Sequence, residues 1–518
     1  MTRYLINRLI RGFFSIIAVV AIIMILVYSA LDRELIFAYD PQINKVYNNQ
    51  KTIYKYQRWE EYGYIDYVPY SDWLKELYVN EEITQEQAKS YASIGLTEMD
   101  DSATVREYVK KFTDYYKSQG YTVRRLKGTK GMAGANQQLF AYKDVPLIKR
   151  MWEYFTGIVK IDNIHYAEEV TGERGITFTL FDPAYGGNVF SPAIIGNGTK
   201  YKYLLYFDNK FPFIHQNLVT LSLGKSYSVN RGIDVWNTMN DTQGAQVKSD
   251  IIYPTGYEDV SADNLHTATY VKNSLSTSEF LRARFTDDYT NVSLYKDGLS
   301  RMGYSFLIGI LSVILAYLLG IPLGIFMARH KDGVADKIGT FYIIFIIAVP
   351  SLAYIFMFRA IGGAMGLPIT FDTTKLTAAM YILPIISLAL PSVAGLMRWL
   401  RRYMIDQANA DYVKFARSEG LSENEIFRKH ILKNAAIPII HGVPGAILGS
   451  LVGALITESV YVVPGTGNLL VKAINAYDNS VIVGVAMFYA VLSVVSRILG
   501  DILMAMVDPR ISFSSKGR

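Results

Sequence analysis

Few residues of this 518-residue chain stand in arrangements that chemistry could use. Gly224-Lys225-Ser226 has the ending of a phosphate-binding loop, in which backbone N–H groups cradle the phosphates and the lysine reaches them. That loop needs a further glycine five residues earlier, and Val219 stands there. The six histidines form no H-E-x-x-H pair or other ligand spacing. Cysteine is absent, which removes disulfide frameworks, thiolate zinc sites and cysteine nucleophiles together. Acidic residues inside the apolar runs are nearly missing apart from Glu458 and Asp501, which weakens a proton- or sodium-coupled carrier. No catalytic or metal site is expected.

One stretch, Arg401–Pro438, is richer. Gly420 is placed to end a helix in the left-handed conformation open to a residue without Cβ. Ser422 and Glu425 form an S-x-x-E capping box that starts a second helix. Ile426, Phe427, His430 and Ile431 recur near helical spacing as an apolar strip on a basic loop. Two short helices around a glycine corner can slot into a groove on another protein. They can equally pack against their own neighbouring helices, and the caps do not separate the two.

The elements that must position this loop are uncharged runs. Hydrophobic residues make up 51% of the chain and charged ones 19%. A bilayer core needs about 20 apolar helical residues. Phe13–Leu31, Met302–Ala328, Ile338–Phe358, Leu376–Met397 and Ala435–Thr457 qualify, and Ser480–Ser496 continues greasily to Val507. Six spans are expected, and a purely soluble enzyme is excluded. The first run is too long for the core of a cleaved signal peptide and lacks a clear cleavage site. The net charge is only +6, but its placement is lopsided. Arg3, Arg8, Arg11, Arg329, Lys331, Lys337, the 398–433 cluster and Arg510 fall on one side, whereas the opposite short loops carry little beyond Lys375 and Lys472. Both termini are therefore expected in the cytoplasm of a multi-pass protein of the cell membrane, surrounded by lipid.

The chain then divides into residues 1–31 with the first span, an extracellular segment 32–300, and a membrane core 301–518 carrying the cytoplasmic loop 401–436. The segment 32–300 is large enough for its own core. It reads as α+β, helical at Glu81–Glu86 and Thr104–Lys117 and strand-like at Ile176–Phe181 and Tyr201–Phe207. Its many tyrosines suit either a partner surface or a core. Gly445, Gly449 and Gly453 repeat every four residues, and Gly320 and Gly324 share that spacing, so another helix could approach closely, from this chain or from a second subunit. Pro350, Pro384 and Pro391 are expected to interrupt the third and fourth spans, either lining a pathway or kinking helices as they pack. Glu458, ahead of Pro464 and Gly465, is expected to cap that turn, with contact to a substrate as the alternative.

The loop resembles the EAA loop of binding-protein-dependent ABC importers, and the chain more narrowly resembles OppB/DppB-type permeases for oligopeptides. The likeness is carried by Ala416, Arg417, Gly420, Leu421 and Ser422, then His430, Leu432, Asn434 and Pro438. Further matches are Arg3-Tyr4-Leu5 with Arg8-Leu9, Gly320–Gly324, Glu458 followed by Val463–Leu470, and Asp508–Ile511. Lys414-Phe415-Ala416 keeps only the last residue of the older Glu-Ala-Ala consensus. The large insertion is similar to that of permeases in the Ami/Opp systems of Gram-positive cocci, and Leu218–Tyr227 faintly resembles the Gly-x-Ser segment before the second span of short members.

The resemblance implies an α-helical type I ABC importer permease without an ATPase site of its own. Its loop (Ala416, Arg417, Gly420, Leu421, Ser422, Glu425, Phe427, His430, Asn434 and Pro438) would dock the ATPase. It implies a second homologous permease, two cytosolic ATPase subunits that use ATP and Mg2+, an extracellular peptide-binding lipoprotein and a peptide substrate. No cofactor on this chain and no nucleic acid is implied. A permease of the same branch for a dipeptide, an opine or a nickel complex is the alternative. A membrane-anchored sensor is a rival of another class, but only about a dozen residues follow Val507 to act as an output module.

Overall fold

The computed structural model describes residues 2–95, 97–127, 138–161, 175–181, 190, 192–197, 203–207, 214–216, 219–244, 249–252, 258–261, 269–270, 289–291 and 299–507. The first apolar run lies within helix α1 (Thr2–Ala30). Its Phe13, Phe14 and Leu26 side chains are largely exposed, as suits a helix solvated by lipid.

The segment that follows begins with α2 (Asn48–Glu61), β1 (Ile65–Pro69), α3 (Tyr70–Val79), α4 (Gln85–Tyr91), α5 (Ala103–Ser118), β2 (Thr122–Arg125), β3 (Leu139–Asp144) and α6 (Leu147–Gly157). The helix expected at Thr104–Lys117 is present as α5, but most of Glu81–Glu86 is turn, with Glu81 left-handed, and α4 starts only at Gln85, behind a capping box between Thr84 and Gln87. An antiparallel sheet ordered β1-β3-β2 runs through this part, which the sequence reads as helical. Many of the tyrosines go into the interior. Tyr56, Tyr64 and Tyr67 pack with Trp59 and Phe140, and Tyr70 and Tyr116 pack with Trp73 and Phe112. Beside the second core, Arg125 Nη1 meets the buried Asp101 carboxylate at 2.6 Å.

Beyond Gly157 come β4 (Val159–Ile161), β5 (Gly175–Thr179), β6 (Ala193–Asn197), β7 (Tyr203–Phe207), β8 (Ile214–Gln216), β9 (Val219–Leu221), α7 (Val235–Asn240) and two antiparallel pairs, β10 (Ser249–Ile252) with β11 (Glu258–Ser261) and β12 (Thr269–Tyr270) with β13 (Tyr289–Asn291). Strands β5 to β8 form an antiparallel meander in sequence order. Strand β4 pairs with β9, so the chain after the meander returns to the end of α6.

The membrane part contains α8 (Arg301–Arg329), α9 (Val334–Ala348), α10 (Ser351–Ala364), α11 (Ala379–Ala408), α12 (Asp411–Ser418), α13 (Glu423–Ile426), α14 (Leu432–Tyr461), α15 (Thr466–Asn475) and α16 (Asn479–Val507). Five helices among the described residues are long and apolar enough to cross a membrane: α1, α8, α11, α14 and α16. The run Ile338–Phe358 is not one straight span: α9 and α10 meet at 112°. Pro350 explains the break, because proline drives the preceding residue out of the helical region. Val349 is extended, with ψ 130°.

Pro384 and Pro391 behave differently. Both lie inside the continuous 30-residue helix α11, against the expectation that they interrupt it. Packing of Leu383, Leu388 and Val393 holds the helix on either side, and Tyr342 Oη donates to the Leu390 carbonyl beside Pro391 at 2.7 Å. Neighbours can thus offset what a proline takes from a buried helix.

Gly320 and Gly324 serve close packing: Leu396 approaches the first, and Leu400 and Met397 the second. The other stripe does not. A Cβ on Gly445 or Gly449 would meet nothing within 4 Å, although both glycines and Gly453 lie on α14. Helices α8 and α14 instead touch at Gly309, whose carbonyl accepts from Ser450 Oγ at 3.1 Å. Asp501 is neutralised across the bundle by Arg8 at 2.6 Å, which joins α1 to α16. Pairing of this kind lets an acid sit in an apolar span.

Candidate functional site

The loop 411–431 is built as its caps require. Helix α12 ends in a turn where Gly420 has φ +83°, and a Cβ there would meet no atom within 4 Å. The constraint on Gly420 is therefore the backbone conformation alone. Ser422 and Glu425 form the capping box, with the Ser422 N–H donating to Glu425 Oε2 at 3.2 Å and the Glu425 N–H to Ser422 Oγ at 3.4 Å. Arg417 spans the corner to Glu423 at 2.6 Å. That hydrogen bond holds the Glu423 carboxyl below its ordinary range. Bonds from Ser422, with the nearby Lys429, do the same for Glu425. The chain then passes through a π-helical turn, Phe427–Ile431, into α14. Such turns recur at functional sites.

The structure decides which face of the loop is free. Ile426 and Ile431 are buried with Val413, Ala416, Leu400 and Met404, with Leu421 and Phe427 packed around them. The apolar strip therefore belongs to the chain's own core and is not offered outward. Arg329 at the end of α8 lies 4.3 Å over the Phe427 ring and donates to Asn424 Oδ1 at 2.7 Å, tying the corner to a long helix. His430 is half-buried near Tyr412, the Asn434 carbonyl accepts from Tyr403 Oη at 3.4 Å, and Pro438 lies inside α14.

The opposite face carries Lys414, Arg417, Glu419 and Glu423, with Phe415 among them at 65% exposure. Phe415 is absent from the residues singled out by sequence. Its signal was available: Val413 and Ala416, three apart, define the inward face of α12, and Phe415 falls off it.

A second polar cluster surrounds the turn after α14. Glu458 is wholly buried, and its carboxylate accepts from Ser305 Oγ at 2.6 Å and the Asn468 N–H at 3.0 Å. The Thr466 N–H donates to Ser305 Oγ at 2.9 Å, and Asn468 Nδ2 donates to the Val463 carbonyl at 2.7 Å. A Cβ on Gly465 would overlap the Glu458 carboxylate, so the approach of turn to acid demands glycine. Pro464 precedes it in the same turn. Glu458 thus takes the capping role over α15 that the sequence suggested.

Asp478 is a functional candidate the sequence reading missed. Buried ahead of α16, its Oδ2 accepts from Ser226 Oγ at 2.7 Å and from the N–H groups of Tyr227 and Ser228 at 2.9 Å each. Asn479 Nδ2 donates to Tyr64 Oη at 2.8 Å. Leu223, Val235 and Met239 pack on Met302, Leu469 and Val481 in the same place. The incomplete phosphate-loop ending is thus a turn that holds the inserted segment to the helices. The Asp508–Ile511 motif lies outside the described residues.

Residues 320–513 match the family described as the binding-protein-dependent transport system inner membrane component. Over its whole length the chain is 34% identical to the oligopeptide transport system permease protein AmiC of Streptococcus pneumoniae, also covered completely. It is 33% identical to the dipeptide transport system permease protein DppB of Lactococcus lactis, over 43% of this chain and 73% of that one. A solved chain of the inward-facing MetNI methionine ABC transporter aligns over 40% of this chain and 93% of its own, at 13% identity and TM-score 0.33. Full-length agreement with AmiC includes the insertion. The chain belongs to the peptide permease family of binding-protein-dependent ABC importers, a multi-pass membrane subunit whose ATP is hydrolysed by separate subunits.

Proposed function

We propose that this chain is one half of the membrane path of an ATP-driven oligopeptide importer, and that the outward face of 411–425 receives the ATPase. The observation that carries this reading is the two-faced loop: one side is fused to α8, α11 and α14, and the other offers Phe415 within a charged rim. A rigid element of that kind converts a push from a partner into helix movement. Two cytosolic ATPase subunits would bind and use ATP and Mg2+, and this chain would bind no cofactor itself. A second homologous permease would complete the path, and the open Gly445–Gly449 face of α14 is a suitable contact for it. Six spans with both termini cytoplasmic follow if the bent α9–α10 pair counts as one crossing. The segment 32–300 then stands outside the cell, where it docks the peptide-binding lipoprotein.

Co-purification of the intact complex, with its subunits and bound ligand identified by mass spectrometry, tests the reading. A second permease, ATPase subunits and peptides several residues long are expected. Recovery of only dipeptides, or of a metal complex, would redirect the substrate to another member of the branch. The lipoprotein cross-linked to 299–507 alone would remove the docking role of the insertion.

A further inference from the structure

Beside the loop, on the outer side of the bundle, α9 and α11 enclose a cleft of about 690 Å³ that the transport reading does not use. One end is cationic, with Lys331, Arg398 and Arg402. The other is apolar, with Ile343, Ile344 and Ile347. Arg401 also lines it but is committed to Asp336, Nη2 to Oδ2 at 2.6 Å, a pair that clamps α9 to α11. Asp406 is the one acid in the lining and lies 4.0 Å from Arg402, at the limit of an ion pair. With Arg402 set against Asp406, Arg401 against Asp336, and Asp332 close enough to act on Arg401, the cationic end still keeps a small surplus of positive charge.

The apolar end faces outward. On α9, Ile343 and Ile346 turn inward against Val393 and Met397. Ile338, Phe341, Ile344 and Ile347 remain mostly exposed on the other face, where a membrane helix meets acyl chains. Lys331 lies in the short connection between α8 and α9, and Arg398 and Arg402 lie in the last turns of α11, so the charges gather at one membrane boundary. A phosphate with an acyl tail matches this gradient, whereas a free anion would leave the isoleucines unused and a neutral lipid would leave the charge unanswered.

We propose that the α9–α11 cleft binds an anionic phospholipid, its phosphate between Lys331, Arg398 and Arg402 and one chain along Ile344 and Ile347. The ligand class rests on the cleft and on these helices lying in the membrane. Only its assignment to the cytoplasmic leaflet rests on the orientation proposed above. The lipid would sit behind the Arg401–Asp336 clamp, at the end of the helix that leads into the coupling loop, and would brace that end during transport. Basic pockets between membrane helices bind anionic headgroups in this way.

The test uses the intact complex in neutral detergent, with native mass spectrometry counting bound lipid as phosphatidylglycerol or phosphatidylcholine is added. The expected result is one tight phosphatidylglycerol that phosphatidylcholine and glycerol phosphate do not displace. Each charge removed should weaken it about fivefold. The triple variant Lys331→Gln, Arg398→Gln, Arg402→Gln should thus lose it, and Ile344→Asn, Ile347→Asn should weaken it with every charge kept. A charge-matched control at the exposed Lys45, Lys89 and Lys110 should bind as the parent does. Equal retention by triple variant and control would overturn the proposal. So would displacement by glycerol phosphate, or loss of a protein subunit from the triple variant with the lipid still bound, which would make the cleft a subunit contact. Because the assay is done in detergent, reversed orientation in the membrane would move the leaflet and leave these outcomes unchanged.

Discussion

Gly420 and Asp101 show how single residues set the behaviour of their surroundings. At Gly420 the space is open and the backbone is left-handed, so any side chain costs about 1 kcal/mol or more through conformation. Gly420→Val should insert and fold, yet turn α12 against α13 and lower ATPase retention or uncouple hydrolysis from uptake. Normal peptide uptake with intact ATPase binding would remove the corner from the coupling path. At Asp101, burial works to raise the carboxyl, but hydrogen bonds from Arg125 and the Gly95 N–H outweigh it and hold it below its ordinary value of 3.8. A carboxylate depressed in the fold stabilises it above that ordinary value, and the contribution fades as pH falls through the folded value. Fluorescence of the purified chain, to which Trp73 in the adjacent core contributes, should show an acid transition below about pH 4. In Asp101→Asn the share of this transition owed to Asp101 should be gone. Arg125→Ala should cost about 3 kcal/mol by leaving the buried acid alone.

Among the elements, α12 makes the clearest division of labour. Val413 and Ala416 fasten it, and Phe415 points away. Phe415→Ser should leave stability within about 0.5 kcal/mol, as exposed sites do. Its expected cost is on the order of tenfold in ATPase affinity, the scale of an aromatic anchor at an interface. Surface plasmon resonance of the ATPase on immobilised complex measures both wild type and variant, and equal affinities would assign docking to other residues. The Asp478 turn makes a comparable link between insertion and helices. Removing its carboxylate in Asp478→Ala strands buried donors of Ser226, Tyr227 and Ser228, at about 3 kcal/mol. Limited proteolysis should then cut near 222–234 faster, while α8 to α16 stay protected.

For the whole molecule, orientation is the decisive property. The chain has no cysteine, so single introduced cysteines report without background. A cysteine at Asn291 or Thr373 should react with an impermeant reagent added to whole cells, and one at Asp332 or Glu423 should not. Reversed labelling at either pair would place the insertion inside the cell and the loop outside. The bent α9–α10 pair adds a refinement. If it is one crossing, Thr373 and Asp332 must report opposite sides, whereas a re-entrant pair would put both on the same side.

Local rules were enough where the information is local. The apolar runs, the left-handed Gly420 and the Ser422–Glu425 box could be read from order and spacing, because hydrophobic length, backbone sterics and capping involve residues a few positions apart. The break at Pro350 also follows from its own neighbour, Val349. The uninterrupted course through Pro384 and Pro391 does not, since it depends on side chains from elsewhere that surround α11. The same holds for the loop. Sequence showed an apolar strip at Ile426 and Ile431, but only the presence of Leu400 and Met404 beneath it decided that the strip faces inward and Phe415 outward. Asp478 was illegible for a related reason: its donors lie some 250 residues earlier, and nothing but the folded chain brings them to one carboxylate. Spacing states what a segment can form, and which of its faces is free depends on what the fold sets against it.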